Sequence, residues 1–115
     1  MIIFTGSEEM QVKAESLDRK LVLRLSGELD HHAARQLMQR LTQEMELALP
    51  LEMTLDFSGV TFMDSSGIAI ALHTQRQMKQ LGGRMRIVNP SAQVKKVFEA
   101  AGIQKIIRME DGHEN

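Results

Sequence analysis

The sequence contains no cysteine, no tryptophan and no tyrosine, and only two prolines among its 115 residues. Without cysteine, the chain can form no disulfide framework, thiolate nucleophile or cysteine metal site, which is compatible with a reducing compartment. Phenylalanine occurs four times, mostly at positions typical of a hydrophobic core, so a platform for stacking nucleic-acid bases is not expected. These absences exclude several classes of function without choosing one.

Long apolar runs and an excess of one charge are also missing. No run approaches the roughly 18 residues that a membrane-spanning helix requires, and residues 1–9 lack the basic start of a signal peptide. A net charge of -1 without a basic stripe gives no general attraction to nucleic acid or to anionic membranes. We therefore expect a cytoplasmic protein that neither binds nucleic acid nor inserts into a membrane.

Length and hydrophobic periodicity predict one α/β domain. A chain of 115 residues that is 43% hydrophobic can build one core and is too short for two ordinary domains. Residues 10–15 and 21–26 alternate between apolar and polar side chains, which predicts a β-hairpin. Further strands are predicted at residues 52–57 and 85–88.

Three helices are predicted between and after these strands. They begin after Asp30, after the polar cluster that ends in Gly67, and after Pro90-Ser91. A hairpin followed by alternating helices and strands predicts a small mixed sheet. Each of the two later strands follows a helical crossover and should therefore run parallel to its neighbour.

The segment from Val60 to Ile68 forms the turn between the central strand and the second helix. Its residues Asp64, Ser65 and Ser66 lie where unpaired N–H groups and the helix dipole favour negative charge. Aspartate and serine are preferred N-cap residues, so capping alone explains the cluster as well as a functional role does. The more specific hypothesis is that a serine hydroxyl is presented for modification, because a phosphate there would occupy a natural anion site.

Other polar residues could indicate an enzyme, but their spacing does not favour one. Adjacent His31 and His32 would point roughly 100° apart on a helix and could not chelate one metal ion as an i, i+4 pair could. Glu28 and Asp30 could act as paired carboxylates, yet no nucleophile accompanies them, and Asp30 is explained as an N-cap. We therefore predict no metal ligand in this segment.

A serine nucleophile is the second enzymatic alternative. Ser65 would need a nearby base, but His73 lies two turns further along the same helix, pointing away from its start. The Gly-x-Ser-x-Gly turn of many serine hydrolases is absent as well. We therefore predict no catalytic residue.

Three motifs lie near the ends of the predicted strands. They are Gly27-Glu28-Leu29-Asp30-His31-His32, Phe62-Met63-Asp64-Ser65-Ser66-Gly67 and Ile87-Val88-Asn89-Pro90-Ser91, the last followed by a helix with Val97-Phe98 and the ending Gly102-Ile103 to Ile106-Ile107. Together they resemble the STAS-domain antagonists of bacterial anti-sigma factors, among them those of the sporulation sigma-F system. The resemblance covers about residues 10–109.

The resemblance implies an α/β STAS fold with a small mixed sheet of four to five strands and helices packed mainly on one side. The chain is then a single domain over residues 1–115. Residues 1–9 are expected to be an extension without a counterpart in the motifs, and residues 110–115 a frayed polar tail.

The resemblance also implies a role in transcription regulation by partner switching. The unphosphorylated protein would bind a serine-kinase anti-sigma factor and release its sigma factor, and phosphorylation of Ser65, the first serine of Asp-Ser-Ser-Gly, would end the binding. The implied partner-binding residues are Glu28, Asp30, His31, His32, Asp64, Ser66 and Gly67. No cofactor is implied, since ATP is used by the partner kinase; a phosphatase would reset the switch, and the protein is expected to be monomeric alone.

Two other functions within the superfamily remain open. A STAS domain can serve as the soluble partner of a lipid-transport ATPase, binding a helical surface without being phosphorylated. The intact Asp64-Ser65-Ser66-Gly67 argues against that function. A scaffold or sensor module of a larger signalling assembly is the other alternative.

Overall fold

The computed structural model describes residues 2–7, as backbone, and residues 10–111. These residues form one six-stranded sheet in the order β1-β2-β3-β4-β5-β6. The strands are β1 (Ile2–Ser7), β2 (Met10–Leu17), β3 (Lys20–Leu29), β4 (Glu52–Met63), β5 (Arg84–Val88) and β6 (Arg108–Glu110). The helices are α1 (His31–Ala48), α2 (Ser66–Gln80) and α3 (Ala92–Ala100), with a short 3-10 helix at Ile103–Lys105.

The predicted hairpin and the parallel pairing are confirmed. Strands β2 and β3 are antiparallel and joined by Asp18 and Arg19, whose φ angles of 53° and 62° suit a tight two-residue hairpin turn. Strand β4 is parallel to β3, β5 is parallel to β4, and β6 is parallel to β5. Helical crossovers through α1 and α2 make the first two pairings, as predicted, whereas β6 and its crossover through α3 were not predicted.

The fold class is confirmed, but the sheet has six strands rather than four to five. Strand β1 pairs antiparallel with β2, so part of the expected extension is an edge strand. Its apolar Ile2-Ile3-Phe4 run lacks the alternation that identifies a strand. Glu110, expected in the frayed tail, ends β6. The remainder of the predicted tail, residues 112–115, lies outside the described residues.

The core lies between one face of the sheet and the helices. Alternate residues of the central strands are buried there, namely Leu21, Leu23 and Leu25 of β3 and Met53, Leu55 and Phe57 of β4. Phe98 of α3 meets Phe57 edge to face with the ring centroids 5.4 Å apart, and burying one such side chain contributes about 1.5–3 kcal/mol. On the opposite face, Arg24 and Arg86 are exposed, so the helices cover mainly one side.

The buried faces of two helices differ slightly from those that the apolar spacing predicts, which are Ile68, Ala71, Leu72 and Met78 in α2 and Val94, Val97, Phe98 and Ala101 in α3. In α2, Ile70 and Ala71 are buried, whereas Ile68 and Leu72 are only partly buried. Ala101, expected to face inward from α3, follows the last residue of that helix and is exposed. The sequence pattern located both helices correctly, and because Ala71 and Met78 are buried as predicted, the inward face of α2 is rotated by less than a quarter turn from the predicted one.

Strands β3 and β4 run further than their alternation predicted. They end at Leu29 and Met63, not at Gly27 and residue 57. The register between the two strands shifts twice, between Arg24 and Ser26 and between Gly27 and Glu28. Such shifts mark β-bulges, which interrupt the regular alternation of side chains. At Gly59 the strands approach so closely that a Cβ atom would lie 2.6 Å from Ser26 Cβ. The added length carries the polar cluster beyond β5, which pairs with β4 only as far as Asp56.

Candidate functional site: a serine turn at the carboxyl edge of the sheet

Strands β3 and β4 end side by side and bring two turns together. Glu28 is in register with Phe62, and Leu29 is in register with Met63. The Asp64 N–H group donates to the Leu29 carbonyl oxygen over 3.2 Å, so the contact continues past the end of β4. The turns that precede α1 and α2 therefore lie at the same edge of the sheet, as parallel crossovers require.

The carboxylate of Asp64 closes the turn before α2. Its Oδ1 accepts a hydrogen bond of 2.8 Å from the Ser66 N–H group, and its backbone carbonyl accepts one of 3.1 Å from Gly67. The free N–H groups at a helix start need such acceptors. Aspartate thus provides a side-chain acceptor for the helix start, and it does so from a half-buried position.

Ser65 is presented differently from an ordinary N-cap serine. Its backbone is already helical, with φ -65° and ψ -12°, whereas an N-cap residue is usually extended. Among the residues that the structure describes, no backbone N–H group of the helix donates a capping hydrogen bond to its side chain. The residue is exposed, while its neighbour Ser66 is half-buried. The hydroxyl of Ser65 therefore faces solvent without a capping role.

Gly67 is part of the packing beneath this turn. The residue is buried, and a Cβ atom at this position would overlap the Met63 side chain. The absence of a side chain lets the start of α2 rest directly on the end of β4. The predicted contact of Gly67 with a partner stays a prediction, and the geometry explains its presence by close packing.

The turn before α1 has the N-cap that its sequence predicts. Asp30 is extended, with φ -97° and ψ -174°, and its Oδ1 accepts a hydrogen bond of 2.9 Å from the Ala33 N–H group. The prediction that Asp30 caps α1 is confirmed. The carboxylate of Asp30 is therefore engaged in a hydrogen bond with the helix. The predicted contact of Asp30 with a partner stays a prediction.

Glu28, His31 and His32 lie at the same edge of the sheet as Ser65. All three are exposed, Glu28 at the end of β3 and the histidines in the first turn of α1. Solvent exposure makes them available to a partner, and their predicted contacts stay predictions. Within residues 2–7 and 10–111, no group of three or more His, Asp or Glu side chains is arranged to hold a metal ion.

Gln93 belongs to this edge, although its sequence position gives no such indication, and Phe62 lies there too, as its place in the motif ending at Gly67 indicates. The bulged strand leaves Phe62 43% exposed beside Glu28, so this phenylalanine is not a core residue. The Gln93 side chain reaches from α3 and bonds both backbone groups of Met63, directly before Asp64. No sequence signal distinguishes Gln93 from the other polar residues of α3.

His73 is not brought to Ser65. Its Nε2 lies 3.2 Å from the Thr42 hydroxyl in a hydrogen bond between α2 and α1. Burial lowers the pKa of His73 below its ordinary value, and the positive charge of Arg76 lowers this pKa further. The imidazole is therefore engaged at the interface of two helices and is not placed as a base for Ser65.

The sequence and fold match those of known proteins. The family described as the STAS domain matches residues 11–115, and the chain belongs to that family. An anti-sigma F factor antagonist from Lysinibacillus sphaericus is 34% identical over 95 residues, 82% of this chain and 81% of that protein. One of the same name from Paenibacillus polymyxa is 28% identical over 106 residues, 92% of this chain and 91% of that protein.

Two solved structures of a relative share the fold. The anti-sigma factor antagonist SpoIIAA in its unphosphorylated form superposes with a TM-score of 0.78 at 34% identity, covering 90% of this chain and 89% of that chain. The phosphorylated form of SpoIIAA, a Bacillus cell fate determinant, gives 0.71 at 33% identity, covering 90% of this chain and 92% of that chain. The expected STAS fold is confirmed. Among the described residues, no helix is both long and apolar enough to span a membrane.

Proposed function

We propose that this chain is an anti-sigma factor antagonist. Its unphosphorylated form binds an anti-sigma factor and thereby releases the sigma factor, and phosphorylation of Ser65 ends the binding. The observation that carries this proposal is the exposed Ser65 side chain, which makes no capping hydrogen bond because Asp64 closes the turn. It is supported by membership of the STAS family and by relatives that are named anti-sigma factor antagonists.

The partner is a serine kinase that uses ATP to modify Ser65, and a phosphatase restores the hydroxyl. In this function the chain itself is a substrate and a binding protein, not a catalyst, and it needs no cofactor. It acts as a monomer in the cytoplasm without contacting nucleic acid or inserting into a membrane. The proposed partner-binding residues surround Ser65 at the edge of the sheet: Glu28, Asp30, His31, His32, Asp64, Ser66 and Gly67.

Charge explains how phosphorylation ends the binding. A phosphate adds about -1.5 to -2 charges and three acceptor oxygens, next to the carboxylate of Asp64 and near the edge that carries Glu28. A partner surface that fits the neutral hydroxyl would then meet concentrated negative charge. The resulting repulsion and desolvation would cost about 2.7 kcal/mol or more, which is a loss of affinity of a hundredfold or more.

The domain itself can accommodate the phosphate without refolding. Ser65 directly precedes α2, where the positive end of the helix dipole favours an anion. Within the described residues, the first turn of α2 adds no acidic side chain to the carboxylate of Asp64. The switch therefore acts on partner binding and leaves the fold in place.

Mapping the modified residue tests the proposal. Wild type, Ser65→Ala and Ser66→Ala would each be incubated with ATP and the anti-sigma factor encoded by the same genome, and the products analysed by mass spectrometry. We expect one phosphate on Ser65 in wild type, none in Ser65→Ala, and an unchanged product in Ser66→Ala. Equal phosphorylation of Ser65→Ala and wild type would contradict the assignment.

A further inference from the structure

Strand β4 extends beyond its neighbour β5 in the direction of Ser65. Strand β5 pairs with β4 from Glu52 to Asp56, while β4 continues to Met63. Among the described residues, therefore, no strand lies beside Met63 on the β5 side. The N–H and C=O groups of one strand residue point to the same neighbour, so those of Met63 would lack partners there. Buried or half-buried backbone groups require such partners.

The side chain of Gln93 takes the place of the missing strand. Its Nε2 donates to the Met63 carbonyl oxygen over 2.8 Å, and its Oε1 accepts from the Met63 N–H group over 3.0 Å. A primary amide carries both a donor and an acceptor, so it reproduces the pair of bonds that a neighbouring peptide would make. Met63 is thereby held on its α3 side.

Helix α3 gives Gln93 a fixed position from which to make these bonds. The neighbouring Val94 is fully buried, as is Phe98 one turn later. Ser91 caps the helix by accepting a hydrogen bond from the Val94 N–H group. The backbone of Gln93 therefore cannot move freely, and its amide acts as a rigid link between α3 and the end of β4.

We propose that Gln93 is a positioning residue for the serine turn. Its amide holds Met63 on the α3 side, while the hydrogen bond from Asp64 to Leu29 holds the next residue on the β3 side. Together these links fix the backbone from which Ser65 is presented to the kinase. The inference that the link serves phosphorylation rests on the proposed function, whereas the link itself can be measured in the isolated protein.

Hydrogen exchange tests the link without a partner. Gln93→Ala removes both bonds, so the Met63 amide should exchange at least about tenfold faster than in wild type. Gln93→Glu keeps an acceptor for the Met63 N–H group but loses the donor for its carbonyl, so the amide should stay protected. Gln39→Ala, at an exposed position of α1, is the control and should leave Met63 unchanged.

Phosphorylation kinetics test what the link does. Phosphorylation would be measured with the anti-sigma factor encoded by the same genome. We expect kcat/KM for phosphorylation of Ser65 to fall by about tenfold in both Gln93→Ala and Gln93→Glu, because a displaced serine hydroxyl reacts more slowly. Lys96→Ala is the matched control, since it changes an exposed side chain of the same helix and leaves both Gln93 bonds and the Ser91 cap in place. Its kcat/KM should remain near that of wild type.

Each outcome separates the two proposals. Unchanged Met63 exchange in Gln93→Ala would overturn the link, whatever the kinase does. Faster exchange with wild-type kinetics, or an equal kinetic loss in Lys96→Ala, would overturn the positioning role. A wild-type protein that is not phosphorylated on Ser65 would overturn the proposed function, while the exchange rate of Met63 would still decide whether Gln93 holds the end of β4.

Discussion

Ser65 and Ser91 occupy corresponding places, each directly before a helix that follows a parallel strand, yet their hydroxyl groups differ in use. Ser91 is extended, with φ -67° and ψ 170°, and its hydroxyl accepts a hydrogen bond of 3.3 Å from Val94. Ser65 is helical and does not cap α2, because Asp64 accepts the bond from Ser66 instead. Two serines at corresponding places in the fold therefore have different chemical availability.

The comparison shows how a capping cluster can leave one of its hydroxyl groups exposed and free of a capping role. A helix start needs few side-chain acceptors, and Asp64 supplies one of them. The Ser65 hydroxyl is then not needed as a cap for the helix. At α3, Ser91 serves as the cap itself, and modifying its hydroxyl would remove the bond that starts the helix. Availability depends on which neighbour makes the capping bond.

Replacing each serine with aspartate should give the largest difference between the two turns. Ser65→Asp should lower affinity for the anti-sigma factor by about a hundredfold, or about 2.7 kcal/mol, because it adds charge at the proposed contact surface. Its free energy of unfolding should change by no more than about 1 kcal/mol, since acids are accepted at helix starts. Calorimetric titration and urea denaturation would measure the two quantities.

Ser91→Asp is the matched control for that substitution. It adds the same charge before a helix, and aspartate is as good a cap as serine, so both affinity and stability should stay close to wild type. An unfolded Ser65→Asp protein would mean that the switch acts through the fold. Equal loss of affinity in both variants would mean that charge anywhere near a helix start weakens binding.

Replacing each serine with alanine should have the opposite pattern, with the larger effect at Ser91 and on stability rather than on binding. Ser91→Ala removes a capping bond and should lower the free energy of unfolding by about 0.5–2 kcal/mol. Ser65→Ala removes an exposed hydroxyl without a capping bond and should change it by no more than about 0.5 kcal/mol. Urea denaturation of the two variants under identical conditions would measure the difference. A larger loss in Ser65→Ala than in Ser91→Ala would show that the Ser65 hydroxyl caps α2 in solution.

The sequence predicted the features that local chemistry determines. Alternation located the hairpin, and the spacing of apolar residues located all three helices. Asp30 was identified as a cap because aspartate before an apolar helical pattern has a direct physical reason to be there. The parallel strands followed from the crossovers, whose handedness and length leave few alternatives.

Features set by contacts between distant segments could not be predicted in this way. The ends of β3 and β4 were placed too early because bulges break the two-residue period on which strand predictions depend. Gln93 was missed because its partner, Met63, lies 30 residues away. For Ser65, local chemistry left capping and modification equally plausible, and only the helical backbone and the bond made by Asp64 show that its hydroxyl does not cap α2.

The smallest expected effect is that of replacing Glu28, which lies beside the Ser65 turn. Its position in register with Phe62 places an exposed carboxylate close to an apolar side chain that is 43% exposed. We expect Glu28→Ala to lower affinity for the anti-sigma factor by about three- to fivefold, or about 0.7–1 kcal/mol. Its free energy of unfolding should stay within about 0.5 kcal/mol of wild type, because the carboxylate is exposed at a strand end. Calorimetric titration beside Gln39→Ala, an exposed position on α1, would measure the effect, and equal affinities of all three proteins would place the partner surface away from this edge of the sheet.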